Sequence, residues 1–159
     1  MVAALLLCVS STEARVAASI KQRCAPPSDS VVVTVRYVNT GAQTATIREA
    51  DIPSAMPDGK LWSDYFQVVS TSGNAARYTG NVVNLVPEVR NEAVALKPGE
   101  EVAVDVNISA NYALDQEATY DIQLRGFQQS SEHGTRTFTD SPSTRILPPR
   151  IWARRRCSQ

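Results

Sequence analysis

The feature that most constrains the fold is an alternation of apolar and polar residues within residues 94–109, VALKPGEEVAVDVNIS. Pro98 and Gly99 predict a turn there, because proline fixes φ at about −65° and glycine supplies the freedom that follows. Beyond the turn, alternate side chains in a strand would point to opposite faces. The apolar face would carry Val102, Val104, Val106 and Ile108, and the polar face Glu101, Ala103, Asp105 and Asn107. A strand with one apolar face must be buried against a second layer, so this stretch predicts a β-sandwich.

Further segments have the composition of strands. Residues 29–38 are dominated by β-branched side chains, and Val31, Val33, Val35 and Tyr37 would share one face. The turn Asn39-Thr40-Gly41 follows, and residues 44–49 are expected to return as its hairpin partner. Shorter strands are predicted at residues 65–70, 76–78, 93–96 and 119–124, an edge or loop at 82–86, and a helical turn only at 110–116.

Together these segments predict an all-β protein, an immunoglobulin-like antiparallel β-sandwich of about seven strands with flexible N- and C-terminal tails. The sandwich is expected to span residues 20–127. Residues 52–63 contain Pro53, Pro57 and Asp58-Gly59 and predict a long loop. Residues 128–159 are rich in Ser, Thr, Gln, Pro and Arg, which predicts a polar and Arg-rich tail.

The N-terminus, residues 1–19, is a candidate signal peptide. Residues 1–7 are short and apolar and small residues follow, although no Lys or Arg precedes them. The alternative is a frayed strand or helix. Cys8 would leave with the signal, so that Cys24 and Cys157 could pair, stay free or belong with a partner. No apolar run is long enough to predict a membrane span.

The charge distribution argues against a nucleic-acid surface. The chain has 16 basic and 16 acidic residues, and five of the arginines lie near the C-terminus. The remaining body is therefore mildly acidic, whereas nucleic-acid-binding surfaces are basic.

No arrangement of residues predicts catalysis. The sequence has one histidine, His133, in the polar tail, and it contains no HExxH, GxSxG, P-loop or GxGxxG pattern. The cysteine spacing matches no zinc site. We therefore expect a protein that is not an enzyme and that has no catalytic residue, metal or cofactor.

Two short motifs are candidate modification sites. Asn107-Ile108-Ser109 is an N-glycosylation acceptor sequence, and alternation places Asn107 on the polar face. Arg154, Arg155 and Arg156 form a basic run that is either a solvated tail or a site of proteolytic processing.

The order of several phrases resembles the N-terminal propeptide domain of the deuterolysin and peptidyl-Lys metalloendopeptidase family. The resemblance covers residues 28–125, most of the chain. The phrases that carry it are Asn39-Thr40-Gly41; Phe66 and Val68; Tyr78 and Gly80; Leu96, Pro98, Gly99 and Glu100; Tyr112 and Leu114; and Thr119 and Tyr120. The catalytic half of that family, with its HExxH helix, has no counterpart here, so no catalytic residue carries over.

The resemblance implies a secreted, non-catalytic sandwich that assists the folding of a zinc metalloendopeptidase or inhibits it. The partner would be the protease catalytic domain, and residues 128–159 would include the junction with that domain. Cys157 would then lie just inside the mature protease.

A second hypothesis is a stand-alone immunoglobulin-like binding module, such as a protease inhibitor or a surface-adhesion domain. Its binding loop would be residues 52–63, with Met56, Leu61 and Trp62 as candidate contacts. The alternative for Trp62 is packing in the core against the first strands. The sequence leaves the oligomeric state open, since edge strands could pair in a dimer.

Overall fold

The computed structural model describes residues 13–23, 30–83, 92–131, 136–139 and 143–147. Within them the chain is almost entirely β, with one 3₁₀ turn at Glu49–Asp51 and one helical turn, α1, at Ile108–Asn111. The described strands are β1 (Val16–Gln22), β2 (Val32–Asn39), β3 (Ala45–Arg48), β4 (Phe66–Ser70), β5 (Ala93–Leu96), β6 (Glu101–Asn107), β7 (Tyr120–Leu124), β8 (Phe127–Ser131), β9 (Arg136–Thr139) and β10 (Thr144–Ile146).

The strands form three sheets in which all neighbours are antiparallel. Their orders are β1-β2-β6, β10-β7-β4 and β5-β3-β8-β9. The all-β antiparallel class is therefore confirmed. Each sheet buries the alternating apolar residues that a half-buried strand requires.

The core lies between these sheets. Val33, Val35 and Tyr37 of β2 have no exposed surface, and Phe127 of β8 is equally buried. The rings of Tyr37 and Phe127 meet edge to face with their centroids 5.2 Å apart, which joins the first and third sheets. The predicted alternations are confirmed, since the residues expected on the apolar faces are buried, namely Val31, Val33, Val35 and Tyr37 in the first segment and Tyr120, Ile122 and Leu124 in the last.

The stretch from residue 94 to residue 109 divides between two sheets. Gly99 has a φ of 79° and the Glu100 N–H donates to the Lys97 carbonyl at 2.9 Å, so the predicted turn is present. β5 before the turn belongs to the third sheet and β6 after it to the first. On β6, Val106 is buried and Val102 and Val104 are half-buried, while Glu101, Ala103 and Asp105 are exposed, as the alternation predicts.

The expected hairpin between residues 29–38 and 44–49 is wrong. β3 pairs with β5 and β8, not with β2, so the chain crosses from one sheet to another after Asn39. Asn39 is buried and its Nδ2 donates to the carbonyls of Gln43 and Leu96, which holds the crossing in place. Gly41 is needed there because a Cβ would lie 2.1 Å from the Glu13 carbonyl oxygen.

Strands are present beyond residues 20–127, the predicted limits of the sandwich. β1 begins at Val16, within the candidate signal peptide, and β8, β9 and β10 lie within the predicted tail. In these last strands Phe127 and Ile146 are fully buried, but most of their neighbours are polar, so the sequence shows little alternation. Whether residues 1–19 are removed stays a prediction, and their removal would delete Val16 and Ala18 from the core.

Two smaller predictions are also corrected. Residues 76–78 form no strand, and this part of the chain makes only isolated bridges, Ala75 with Val69 and Tyr78 with Tyr112. The helical turn begins earlier than expected, at Ile108, because Asn107 caps it by accepting from the Ala110 N–H at 3.1 Å. Among the described residues, no helix has the length and apolarity that a bilayer crossing requires.

Candidate functional site

The predicted binding loop, residues 52–63, is closed by its own hydrogen bonds. The Met56 N–H donates to the Lys60 carbonyl, and the Gly59 N–H donates to the Met56 carbonyl, both at 2.8 Å. The Asp58 carboxylate accepts from the Lys60 N–H at 2.9 Å. This bond is the main reason that the pKa of Asp58 lies below its ordinary value. The tip of the loop is therefore a defined turn that carries a negative charge.

A buried asparagine fastens this loop to α1. Asn111 is only 1% exposed, and its Oδ1 accepts from the Leu61 N–H at 2.7 Å. Its Nδ2 donates to the Asn107 carbonyl at 2.9 Å. The Lys60 ammonium also contacts the Ala110 carbonyl. A buried amide with partners on both of its ends fixes the position of the loop, because leaving either end unpaired is costly.

Residues 78–83 run beside the end of the loop. The Asn81 N–H donates to the Leu61 carbonyl at 2.8 Å and the Val83 N–H to the Trp62 carbonyl at 3.1 Å. The Tyr78 hydroxyl lies 2.8 Å from the carbonyl oxygens of both Leu61 and Asn81. Burial, with a smaller contribution from the Asp64 carboxylate, raises the pKa of Tyr78 to about 12. The hydroxyl therefore stays neutral and able to donate at ordinary pH.

A polar network ties Asp64, just after the loop, to β4 and to Arg125, just after β7. The Tyr112 hydroxyl donates to the Asp64 carboxylate at 2.7 Å and accepts from the Phe66 N–H at 3.1 Å. Arg125 pairs with the other Asp64 oxygen at 2.9 Å. Burial first, and then the hydrogen bond to Asp64, raises the pKa of Tyr112. The neutral phenol can therefore donate to Asp64 and accept from Phe66 at the same time.

The structure separates the three predicted contact residues. Leu61 is 1% exposed and belongs to the core, and Trp62 is half-buried against the core. The Trp62 Nε1 and Tyr65 hydroxyl atoms are buried and have no hydrogen-bond partner in the described part of the chain. The indole lies near enough to offset part of the burial-driven rise in the pKa of Tyr65, but the two groups do not reach bonding geometry. Of the predicted three, only Met56, at 39% exposure, presents substantial apolar surface.

Two contact candidates were missed by the sequence analysis. Val82 is 85% exposed and Val83 is 40% exposed, and with Met56 they are the large apolar residues that lie exposed in the described ranges. Asn81, the residue before Val82, links the two segments, since its Nδ2 lies 3.4 Å from Met56 Sδ and 3.3 Å from the Asp58 carboxylate. We call Met56, Val82 and Val83 the loop-end patch. The pattern at residues 82–86 indicated an edge or loop but carried no sign of this contact.

The other candidate residues are not brought together with this patch. Asn107 is half-buried and caps α1, and the Ser109 hydroxyl of its acceptor triplet accepts from the Val31 N–H at 2.7 Å. Glycosylation there stays a prediction. Cys24, His133, Cys157 and the processing candidates Arg154, Arg155 and Arg156 lie outside the described residues. Within the described residues, no group of His, Cys, Asp or Glu side chains could hold a metal ion.

Comparison with known proteins identifies the fold but no family. No protein-family model matches the chain, and no curated protein matches it either. Among solved structures, a protein of Bordetella pertussis named ApaA is similar to 88% of this chain and 98% of its own, with 16% identity and a TM-score of 0.55. A structural genomics target is similar over 89% of this chain and 91% of its own, with 14% identity and a TM-score of 0.48. At such low identity, the likeness to the Bordetella protein shows a shared fold and nothing further.

Proposed function

We propose that this chain is a non-catalytic protein-binding module that docks a partner on its loop-end patch. The observation that supports this function is that two segments expose Met56, Val82 and Val83 and are joined by the contact of Asn81 with Met56. Single exposed apolar residues are ordinary on protein surfaces, but clusters rimmed by polar groups are typical of interaction sites. Here the rim includes Asp58 and Asn81.

The hydrogen bonds beneath the loop-end patch favour binding for a second reason. Asn111 and Tyr78 hold the loop and residues 78–83 together before any partner arrives. A partner that docks on an ordered surface does not have to offset the loss of loop entropy, which is one of the main costs of association. The partner surface that fits would be apolar at its centre, with a hydrogen-bond donor or a cation placed to meet Asp58.

A narrower form of the proposal takes its partner from the family resemblance. In that form the partner is the catalytic domain of a secreted zinc metalloendopeptidase, whose folding or activity this chain would control, and the chain is itself secreted. The order of the phrases around Asn39-Thr40-Gly41 and Leu96 to Glu100 supports it. Titration of a purified mature protease of that family against the chain tests it. Binding with loss of proteolysis or improved refolding is expected, and absence of all three would exclude this partner class.

The wider proposal is tested by site-specific photo-crosslinking in the cells that produce the protein. A photoreactive side chain at position 82 should capture a partner, and the same group at Ser19, an exposed residue of β1, should not. The captured protein is then purified and its affinity is measured for the wild-type chain, Val82→Asp and Ser19→Asp. We expect a loss of at least about tenfold for Val82→Asp alone, since a buried charge without a partner is costly. Equal capture at both positions, or equal affinity of both variants, would overturn the proposal.

A further inference from the structure

A second surface of the molecule is an open sheet edge. β6 ends the sheet β1-β2-β6, and β5 ends the sheet β5-β3-β8-β9. The turn Lys97–Glu100 joins these two strands, so both edges lie on the same side of the sandwich. In the described part of the chain, no strand pairs with the outer side of either one.

The hydrogen-bond register shows which backbone groups of β6 point outward. The Asn39 N–H donates to Glu100 and the Ile108 N–H donates to Val31, so these opposite pairs are the hydrogen-bonded ones. Every second pair between them is bonded in the same way, which directs the peptide groups of Val102, Val104 and Val106 towards β2. The N–H and C=O groups of Glu101, Ala103 and Asp105 therefore point to the free edge. No hydrogen bond to these six groups is found among the described residues.

The outward backbone groups of β5 follow from its register with β3. The Glu49 N–H donates to the Glu92 carbonyl at 2.8 Å, so the pair Ile47–Val94 is also hydrogen-bonded. The peptide groups of Ala93 and Ala95 consequently point away from β3. Two neighbouring strands thus offer donors and acceptors with the spacing of an unfinished sheet.

The core is incompletely covered along this side. Val106 and Leu96 are buried, at 3% and 4% exposure. Val102 and Val104 of β6 and Val94 of β5 face the same core but remain only half-buried. A strand added beside β6 would direct alternate side chains over Val102 and Val104. The positions that face inward on such a strand must be apolar.

The charge of this side restricts the occupant further. Three ion pairs lie along it, namely Lys97–Glu100, Arg36–Glu101 and Arg23–Asp105. The charged side chains of β6 itself are the carboxylates Glu101 and Asp105, both on its polar face, so basic side chains suit the outward positions of an added strand. Symmetric pairing of two β6 strands about Ala103 would instead place Glu101 opposite Asp105, and like charges directly opposite are destabilising.

We propose that the outer edge of β6 is a strand-addition site for an extended segment of another protein that alternates apolar and basic residues. This mode of binding gains affinity from main-chain hydrogen bonds and specificity from alternate side chains. It is independent of the loop-end patch, which lies on different residues.

Amide hydrogen exchange in the isolated chain is the first test. We expect the amides of Glu101, Ala103 and Asp105 to exchange quickly, while those of Val102 and Val104 are protected by β2. Protection of the Ala103 amide in the isolated chain would overturn the proposal, because it would mean that the edge is already paired.

Addition of a probe peptide is the second test. The acetylated and amidated peptide Lys-Val-Lys-Val-Lys-Val-Lys should slow exchange of the Ala103 amide by at least about tenfold at saturation. The same peptide with proline at its third and fourth residues, which removes inward N–H groups in either strand direction, and a version with Glu in place of Lys, should have much weaker effects. Equal effects of all three peptides would contradict strand addition.

A matched pair of variants completes the experiment. Ala103→Pro removes an outward N–H without removing a bond to β2, a position that edge strands tolerate, and it should abolish the effect of the peptide. Ala103→Thr keeps the N–H and should retain the effect. Val82→Asp should also retain it, so failure at this edge and failure at the loop-end patch can be told apart. Undiminished peptide binding by a folded Ala103→Pro chain would contradict the proposal.

Discussion

Asn39 Nδ2 donates to the Leu96 carbonyl at 2.8 Å, and this buried bond joins the two places where the chain crosses between sheets. Asn39 ends β2 and Leu96 ends β5, and each strand is followed by a turn that leads into the other sheet. The Gly99 N–H returns a bond to the Asn39 carbonyl at 2.9 Å, while Asn39 Oδ1 accepts from the Gly41 N–H. One side chain therefore holds both crossings together.

Replacement of Asn39 should destabilise the sandwich. Asn39→Ala would leave the buried Leu96 carbonyl without this donor, and we expect a loss of about 2–3 kcal/mol in the free energy of unfolding. Asn39→Asp should be at least as damaging at neutral pH, because a carboxylate cannot donate to the carbonyls of Leu96 and Gln43. Urea unfolding measures both, with the exposed Ser54→Ala as control. An Asn39→Ala chain as stable as the control would refute this role.

Replacement of Asn111 should loosen the loop as well as weaken the fold. Asn111→Ala leaves the Leu61 N–H without its acceptor, at a cost of about 1–3 kcal/mol. The amide of Leu61 should then exchange faster than in the wild-type chain. Gln116→Ala, at an exposed position just beyond α1, is the control and should change neither quantity. Unchanged exchange at Leu61 in Asn111→Ala would show that the loop does not depend on this anchor.

The pair Glu49 and Glu92 should make stability depend on pH. The pKa of Glu49 is raised by its hydrogen bond to Glu92, with burial and charge repulsion adding to the effect. A carboxyl group with a raised pKa stabilises the folded state below its ordinary value of 4.5, and this contribution is lost as the pH rises through the folded pKa. Glu92→Gln should therefore be slightly more stable than the wild-type chain at neutral pH, and the difference should disappear in acid. Thermal unfolding across this range checks the sign, and a less stable Glu92→Gln chain at neutral pH would contradict it.

The tyrosines should resist ionisation while the chain is folded. Burial is the largest cause of the raised pKa values of Tyr37, Tyr65, Tyr78 and Tyr112. Because the folded state favours the neutral phenol, stability should fall as the pH rises above the ordinary value of 10.0. Phenolate absorbance should show a transition with a pKa of about 12 that Tyr78→Phe removes. Ionisation of all four groups near pH 10 in a folded chain would contradict the buried network.

The sequence predicted the strands with clear alternation and missed what depended on single polar groups. The alternation of Val33, Val35 and Tyr37 indicates a buried face, so the sequence predicts β2 directly. The crossing after Asn39 could not be predicted, because an asparagine in a turn is equally typical of a hairpin. Only its buried hydrogen bond to Leu96 distinguishes the crossing from a hairpin. β8 and β10 were not predicted, because their buried residues, Phe127 and Ile146, stand among polar neighbours.

The candidate site was predicted in part for a similar reason. Proline and glycine marked the loop that carries Met56, but whether a loop residue is exposed depends on what packs beneath it. Leu61 is drawn into the core, whereas Val82 is left outside it, although valine is the more β-forming residue. No local pattern distinguishes these outcomes.

The most direct test of the binding-module account is the affinity of the protein captured at position 82 for the wild-type and Val82→Asp chains. Both chains should unfold at the same urea concentration, because Val82 is 85% exposed and supports no part of the core. Titration calorimetry should then show binding by the wild-type chain and at least about a tenfold weaker affinity for Val82→Asp. Equal affinity of the two folded chains would contradict the account.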